Sequence, residues 1–531
     1  MTAKERTSNH ISDKLPMNRN RRPRSIATIM LAVLSLAVMG ISTWFVLTHR
    51  SKTGYSVWEE VSYRTNGELI RYTLERLEGH PSLEKFAHPI LYAAQRHIEK
   101  PALAPRTLID QMGKGQQSRV LPTQRYLVDG RPQPLTIGMT LKANRSPVPA
   151  PVTGPVHLVR DARELKSAAA LARAGDTITL LPGTYQLSGR LQPKHDGTAL
   201  APIMVRADTP GSVIIKISSG IIHLDRAYWI FENLVVEGHC GTENGPCEHA
   251  FHVVGGARNV VIRNNIIRNF AAHIKVNGER GQFPDGGLLQ FNTLVNDKAY
   301  GHGSLTPFDL VGASHWVVAD NQVSHFVKHW GKNASYGVFM KGGGEGGRIE
   351  RNLLVCTTDG NISHFGSRVG ISLGGGLTDK PYCSVKDCIY EHKKGVVINN
   401  VIMNCNDFGI DNNRAIQSVI AHNTVINTYG IGIRGIPSDA MVYGNVVDGA
   451  INERRGGSLT STHNLQRNAV DRLQAPYQFD FRWRDAPTPI PTHPLVNDDF
   501  CGMPRKANSL PGAFSDVSAC NVPADATHLN P

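Results

Sequence analysis

The chain has 531 residues, more than one ordinary domain holds, yet a repeat architecture grows without a single enlarging core. Only 7% of residues are aromatic while 51 are glycine, a balance that argues against a globular α/β enzyme and suits stacked β coils. The net charge of +13, with an isoelectric point near 9.4, points to an acidic partner, although the N-terminal arm supplies part of that excess.

Residues 1–25 form a basic arm that includes Lys14, Arg19, Arg21, Arg22 and Arg24. Ile26 to Leu47 come next without a single charge, long enough to span a bilayer. The basic flank puts the N-terminus inside and the remainder outside, with Arg50 and Lys52 blurring the bias. A cleavable signal peptide is the alternative. The run is long for such an apolar core and no A-x-A site comes after it, so 26–47 reads as a signal-anchor. The chain is then expected to be a single-pass inner-membrane protein with its C-terminal part in the periplasm. Cysteine usage agrees, because all eight cysteines lie from Cys240 onward, on the exported side. The pairs Cys240/Cys247, Cys383/Cys388 and Cys501/Cys520 are close enough in sequence to staple local loops.

Residues 50–100 read as a helical segment, with apolar spacing from Glu68 to Leu77 and again from Phe86 to Ile98. Residues 101–155 form a proline-rich, basic linker that ends in Pro147-Val-Pro-Ala-Pro-Val-Thr-Gly-Pro155. Asp161 to Arg173 then reads as a short amphipathic helix, placed to cover the exposed apolar end of the β coils after it.

Those coils form a ladder. Gly337-Val-Phe-Met-Lys341, Gly370-Ile-Ser-Leu-Gly374, Gly409-Ile-Asp-Asn-Asn413 and Gly430-Ile-Gly-Ile-Arg434 each open on glycine and alternate inward apolar with outward residues, the period of a strand. A second phrase is built on asparagine, at Asn352, Asn400, Asn423 and Asn445, and upstream at Asn233, Asn265, Asn292 and Asn321. Most steps between them are roughly 22 to 32 residues, the period range of a solenoid, and the long step from Asn352 to Asn400 carries an insertion. Two or three short strands per unit with no helix between them predict a parallel β-helix over 156–465, with a tail over 466–531 that wraps the last coils. A β-sandwich would instead place NG or DG hairpin pairs between strands at shorter spacing. Stacked at one bend, the asparagine amides can bond from coil to coil and tolerate left-handed backbone. Cys356 and Cys405 come after the asparagine phrases of adjacent coils. Strand spacing of about 4.8 Å brings such residues near the separation a disulfide needs.

The stretch Ala174-Gly-Asp-Thr-Ile-Thr-Leu-Leu-Pro-Gly-Thr-Tyr185, with the strand Pro202-Ile-Met-Val-Arg-Ala and the asparagine ladder, resembles the pectate-lyase-like right-handed β-helix proteins. Within them it is most similar to the family 6 polysaccharide lyases, alginate lyases and chondroitinase B, and their relatives. The resemblance implies an all-β, right-handed parallel β-helix acting on acidic polysaccharide. Its lysine that starts the chemistry sits on a rung like Val338-Phe-Met-Lys341-Gly, so that role falls to Lys341. Two features depart from the family pattern. The arginine that the resemblance implies on the next coil falls at Gly374. The acidic ligands for a calcium ion just before the lysine are replaced by Ser335 and Tyr336.

The outward positions carry the chemistry. One column reads His252, Lys275, Asp309, Phe339, Ser372, Asp411, Gly432; the other reads Val254, Asn277, Val311, Lys341, Gly374, Asn413, Arg434. A strand face without a task usually carries Thr, Ser or Lys. This face mixes His, Lys, Asp, Asn and Arg, and a sugar chain lying along it meets them in succession. Elimination beside a uronate carboxylate needs a base and neutralisation of the carboxylate. Lys341 is the candidate base, with its pKa lowered by neighbours such as Lys275 or His252. Lys275, Asn277, Asp309, Asn413 and Arg434 are candidate substrate-binding groups. In the basic loop from His325 to Lys332, His329 and Trp330 are placed to meet an acid group and stack on a sugar. Asp309 and Asp411 suggest glycoside hydrolysis, but three rungs separate them, beyond the reach of a carboxylate pair; Asp309 is expected to pair with Lys275 instead. No zinc site is expected, since His302, His315, His325 and His329 lack a compact ligand spacing. The loop stapled by Cys383 and Cys388, with Glu391 and His392 at its end, either overhangs the Lys341 face or decorates it. The function expected is a lyase on acidic polysaccharide. A non-catalytic glycan-binding or envelope protein is the alternative, with C5-epimerisation and glycoside hydrolysis behind it. The expected partners are that glycan and, through 26–47, the membrane, but not nucleic acid.

Overall fold

The computed structural model describes residues 154–515, except 241–246, 302, 331–332, 359–363, 467–468 and 477–478, together with positions 87, 90 and 152. The charge-free run 26–47, the helical segment 50–100 apart from Ala87 and Ile90, and nearly all of the linker 101–155 lie outside the described residues. Among the described residues no helix is long and apolar enough to cross a membrane.

From Val156 onward the chain winds as a parallel β-helix. One sheet of twelve strands runs in chain order from Val156–Val159 to Ser458–Thr462, each strand parallel to the next. A second sheet of 19 strands holds two interleaved rows, represented by Ile266–Arg268 and Phe270–Asn277 in one coil. Inward residues of successive coils stack on one another. Phe251, Ile274, Phe308, Val338, Ile371, Ile410 and Ile431 form one such column, and all are fully buried. Each buried aliphatic or aromatic side chain contributes about 1.5–3 kcal/mol relative to exposure. Asn412 breaks the apolar alternation: it points inward and donates to Ala415 O and Ser438 Oγ, both at 2.9 Å.

The helix expected near the start spans Ala162–Leu171. The Asp161 carboxylate caps it, accepting from the Arg163 and Glu164 amides at 2.8 Å. Its buried residues Leu165 and Ala169 join the apolar end of the first coils, beside Val159, Ile178 and Tyr185. The Tyr185 hydroxyl ties that end together, donating to Val159 O at 2.7 Å and lying 2.9 Å from Leu181 O.

The asparagine ladder runs from Asn265 to Asn464. In each step the Oδ1 of one asparagine accepts from both the backbone amide and the side-chain amide of the asparagine one coil earlier, at 2.8–3.1 Å from Asn265 to the final step onto Asn464. Two details differ from expectation. Asn233 is not a member, because the pairing Ile266↔Val235 puts Leu234 opposite Asn265, and Leu234 N donates to Asn265 Oδ1 at 3.0 Å. The left-handed residue is also not the ladder asparagine but its predecessor: Asn264, Phe291, Asp320, Arg351, Asn399 and His422 all have φ between 52° and 57°. The turn needs the asparagine itself extended so that its amide can reach along the stack.

Cys240–Cys247, Cys356–Cys405 and Cys383–Cys388 are disulfides, as the spacing suggested. Cys501 is also disulfide-bonded, and its expected partner Cys520 lies outside the described residues. In the tail, Phe481, Phe500 and Phe514 pack over Leu353, Val401 and Met403. Arg505 donates to Asn399 Oδ1 at 3.0 Å and to Gly512 O at 2.7 Å. The tail therefore covers the row just after the ladder asparagines and leaves the row bearing Lys275 and Lys341 uncovered by these contacts.

Candidate functional site

The two outward columns are in the register that the alternation predicts. His252 lies opposite Lys275, Lys275 opposite Asp309, Asp309 opposite Phe339, Phe339 opposite Ser372, Ser372 opposite Asp411, and Asp411 opposite Gly432. In the second column Asn277 lies opposite Val311, Val311 opposite Lys341, Gly374 opposite Asn413, and Asn413 opposite Arg434. The first column also extends upstream to His223, opposite His252.

The cations of the face are not equivalent. Lys275 Nζ is 2.5 Å from Asp309 Oδ2, the adjacent-rung pair expected from sequence. Arg434 places its fork on Asp411, with Nε 2.9 Å from Oδ1 and Nη2 2.8 Å from Oδ2, a bidentate pair with Asp411 fully buried. Lys341 has no acidic partner among the described residues. Its ammonium instead lies 5.2 Å from the centre of the Phe339 ring, a cation–π contact. Its neighbour on the preceding rung is the apolar Val311. Lys275 and His252 stand two and three rungs away, about 10 and 14 Å by strand spacing, and are occupied with Asp309 and Asn277. They are therefore poorly placed to tune Lys341.

Only the first half of the face is open. Tyr336 stacks on Phe339 with ring centres 4.0 Å apart, and Val369, Phe408 and Tyr429 continue an apolar ridge from it. Behind that ridge Ser372 and Asp411 are fully buried and Asn413 nearly so. A strand-by-strand reading treats these as outward and free, but they are buried, and the Phe408 ring, from the turn ahead of its rung, lies against Gly432, the residue opposite Asp411. His329 and Trp330 lie in the short strand Lys328–Trp330, which pairs with Tyr300–Gly301. In the same strand Lys328 is buried and donates to Gly303 O at 3.2 Å and to Asn333 O.

The insertion is fastened beside the Lys341 rung. Gly342 and Gly343, with φ of 81° and 82°, turn the chain immediately after Lys341. The Glu391 carboxylate accepts from Gly342 N at 3.0 Å, Thr378 N at 2.8 Å and Thr378 Oγ at 2.6 Å, and Ser384 N donates to Gly342 O at 2.9 Å. A Cβ on Gly312 would lie 2.8 Å from Tyr382 O and 2.3 Å from the Phe283 ring, so loop and ring both border the second column. Sequence reasoning located the loop but missed Glu391 as its clasp.

A histidine group heads the face. The His252 ring lies 5.3 Å from that of His223 and 5.5 Å from that of His249. Burial holds all three pKa values below the usual histidine range. For His252 the Asn277 hydrogen bond opposes that shift and the Lys275 charge adds to it. His223 was detectable in the sequence, because Ile222-His223-Leu224 repeats the apolar–outward–apolar alternation of Phe251-His252-Val253 one coil earlier. Among the described residues no group of three or more His, Cys, Asp and Glu side chains could hold a metal ion. The positions before Lys341 do not suit calcium. Ser335 is buried, its hydroxyl accepting from Leu305 N at 3.1 Å, and Tyr336 is stacked on Phe339, so neither brings a carboxylate there.

No family model and no curated protein matches this chain. Among solved structures it is similar to a PL6 family polysaccharide lyase from Pseudopedobacter saltans, at 15% identity and TM-score 0.32, over 63% of this chain and 97% of that one. It is similar to a rhamnogalacturonan lyase at 15% identity and TM-score 0.43, over 67% of this chain and 96% of the other. A pectate lyase, Pel9A, aligns at 14% identity and TM-score 0.32, over 68% of this chain and 90% of its own. At these values no activity follows from the likeness. The fold itself, a parallel β-helix, rests on the strand pairing.

Proposed function

We propose that the chain acts on an acidic polysaccharide, as a lyase that cleaves a uronate-containing glycan by β-elimination with Lys341 as the base. The observation that carries this reading is the contrast among the cations: Lys275 and Arg434 are each paired with a carboxylate, whereas Lys341 has no acidic partner among the described residues. Such a group is available to a uronate lying along the open half of the face, against the edge of the Tyr336–Phe339 stack. In its unprotonated form the Lys341 amine takes the C5 proton beside the sugar carboxylate. The electron pair left behind forms the C4–C5 double bond, the C4–O bond breaks, and the departing oxygen takes up a proton.

A non-catalytic glycan-binding role is favoured by one specific observation. Gly374, where the family resemblance implies an arginine, offers no second basic group, and the Ser372 position beside it is buried. The two readings separate in one experiment. The full chain is incubated with alginate, pectate and glycosaminoglycans, and the ultraviolet absorbance of unsaturated uronates is followed. A rise that Lys341→Ala abolishes supports the lyase. Binding without any rise refutes it and leaves the binding role.

The same reading makes the chain a single-pass inner-membrane protein facing the periplasm. The charge-free run 26–47 and the disulfides support this, since such bonds persist in oxidising compartments. Recovery of the full chain in the soluble fraction of lysed cells would refute the anchor.

A further inference from the structure

We propose that the rungs on the N-terminal side of Lys341 form a subsite for an uncharged, hydroxyl-bearing sugar, so that the face reads a polymer in which acid and neutral sugars are interspersed. The proposal rests on the reading that this face binds an acidic glycan, and it names which kind.

The hydrogen-bonding capacity of the subsite is set by Asn277. Its Nδ2 donates to Gly278 O at 3.0 Å, which turns Oδ1 toward His252 Nε2 at 2.8 Å. The opposite amide orientation would set two oxygens against each other. His252 Nε2 must therefore donate, and a neutral imidazole that donates through Nε2 keeps a lone pair on Nδ1. The other groups facing His252 are His223 and His249, the cations Lys275 and Arg190, and Glu248. Burial first, with Lys275 and Arg190 adding to it against the Asn277 hydrogen bond and Glu248, lowers the ring's pKa and so favours its neutral form.

Beside it, Lys275 and Asp309 cancel each other's charge, with both side chains 21% exposed. The subsite thus presents a neutral acceptor at His252 Nδ1, an engaged carboxylate, and the remaining N–H groups of Lys275 and Asn277. A sugar hydroxyl both donates and accepts, so vicinal hydroxyls match this mixture. A uronate carboxylate only accepts: it would face the His252 lone pair without a proton to share, and the Lys275 ammonium that would meet its charge is already paired with Asp309. Two rungs on, about 10 Å along the face, Lys341 offers the opposite environment, a cation without an acidic partner among the described residues.

The test uses the full chain with two probes, polygalacturonate, which is uronate throughout, and a polymer alternating glucuronate with N-acetylglucosamine. Calorimetry gives affinity and the ultraviolet assay gives cleavage. The alternating polymer is expected to bind at least about tenfold more tightly. Asp309→Asn releases the Lys275 charge for a sugar carboxylate, so affinity for polygalacturonate should rise about tenfold, a gain that a misfolded variant cannot produce. His252→Phe should weaken only the alternating polymer. Nitrogen NMR should find His252 as the Nε2–H tautomer. Equal or tighter binding of polygalacturonate by the unaltered chain, no change of preference in Asp309→Asn, or a proton on His252 Nδ1 would each overturn the subsite. Selective binding of the alternating polymer without cleavage would overturn the lyase and keep the subsite.

Discussion

Asn352 sits where the ladder crosses its longest step, the 48 residues to Asn400 that enclose the insertion beside Lys341. Its Oδ1 accepts from Asn321 N at 3.0 Å and Asn321 Nδ2 at 2.9 Å. Its own Nδ2 faces Val318 O at 2.8 Å, Glu350 O at 3.0 Å and Asn400 Oδ1 at 2.9 Å. Asn352→Ala removes all five contacts in a place with no access to water. The Asn321 side chain keeps its bonds to Leu289 O and Ala319 O, both at 2.9 Å, but its backbone amide loses its acceptor. A buried donor left unpaired costs about 1–3 kcal/mol, and the lost Nδ2 bonds contribute about 1 kcal/mol more, so the expected destabilisation is about 2–4 kcal/mol. Urea unfolding should report it as a lower midpoint at unchanged slope, and hydrogen exchange should quicken at the Asn321 amide before distant ones. Asn352→Leu should fare no better: Leu234 fills this position naturally only where the ladder ends. A loss below about 0.5 kcal/mol, with the Asn321 amide still protected, would refute the idea that the amides hold the coils in register.

Two further outcomes concern buried polar groups. Burial lowers His273 and His392 to a pKa of about 4, from an ordinary value of 6.5. With folded values below unfolded ones, the unfolded chain binds more protons, so stability is full above about pH 6.5 and falls as pH drops toward about 4, by about 3 kcal/mol per histidine. Urea midpoints that do not change between about pH 7 and pH 4.5 would contradict this, and His392→Leu should flatten part of the slope. Glu391→Ala removes the clasp on Gly342 and Thr378, with an expected cost of about 3 kcal/mol at the loop. Limited proteolysis should then cut between Gly375 and Glu391 while the rest of the solenoid resists; an uncut loop would show that the Cys383–Cys388 bond alone suffices to hold it.

Much of the face was legible because strand alternation is strictly periodic. The alternation of inward apolar and outward residues gave the opposition of Lys275 with Asp309 and of Val311 with Lys341 without knowledge of the fold's third dimension. The reading slipped by one residue at Asn233: it stacks with Asn264, whose Nδ2 donates to Asn233 Oδ1 at 2.6 Å, while Leu234 takes the place opposite the ladder residue Asn265. Asp411 and Arg434 also belong to neighbouring rungs but to different columns, so a column-wise reading separated two residues that form a bidentate pair.

The sequence by itself determined the repeat, the inward and outward alternation, and the disulfide pairs within and between coils, because each depends on spacing along the chain. The tertiary structure alone decided which outward residues meet solvent. Phe408 and Tyr429 come from turns outside the strand pattern and join an apolar ridge with Val369; Ser372 and Asp411 are fully buried, and the insertion folds back onto Gly342 through Glu391. Local periodicity fixes the direction of a side chain, but accessibility depends on what other parts of the chain lie above it. Here that difference leaves Lys341 at the end of the open half of the face and Arg434 beyond it, on a buried carboxylate.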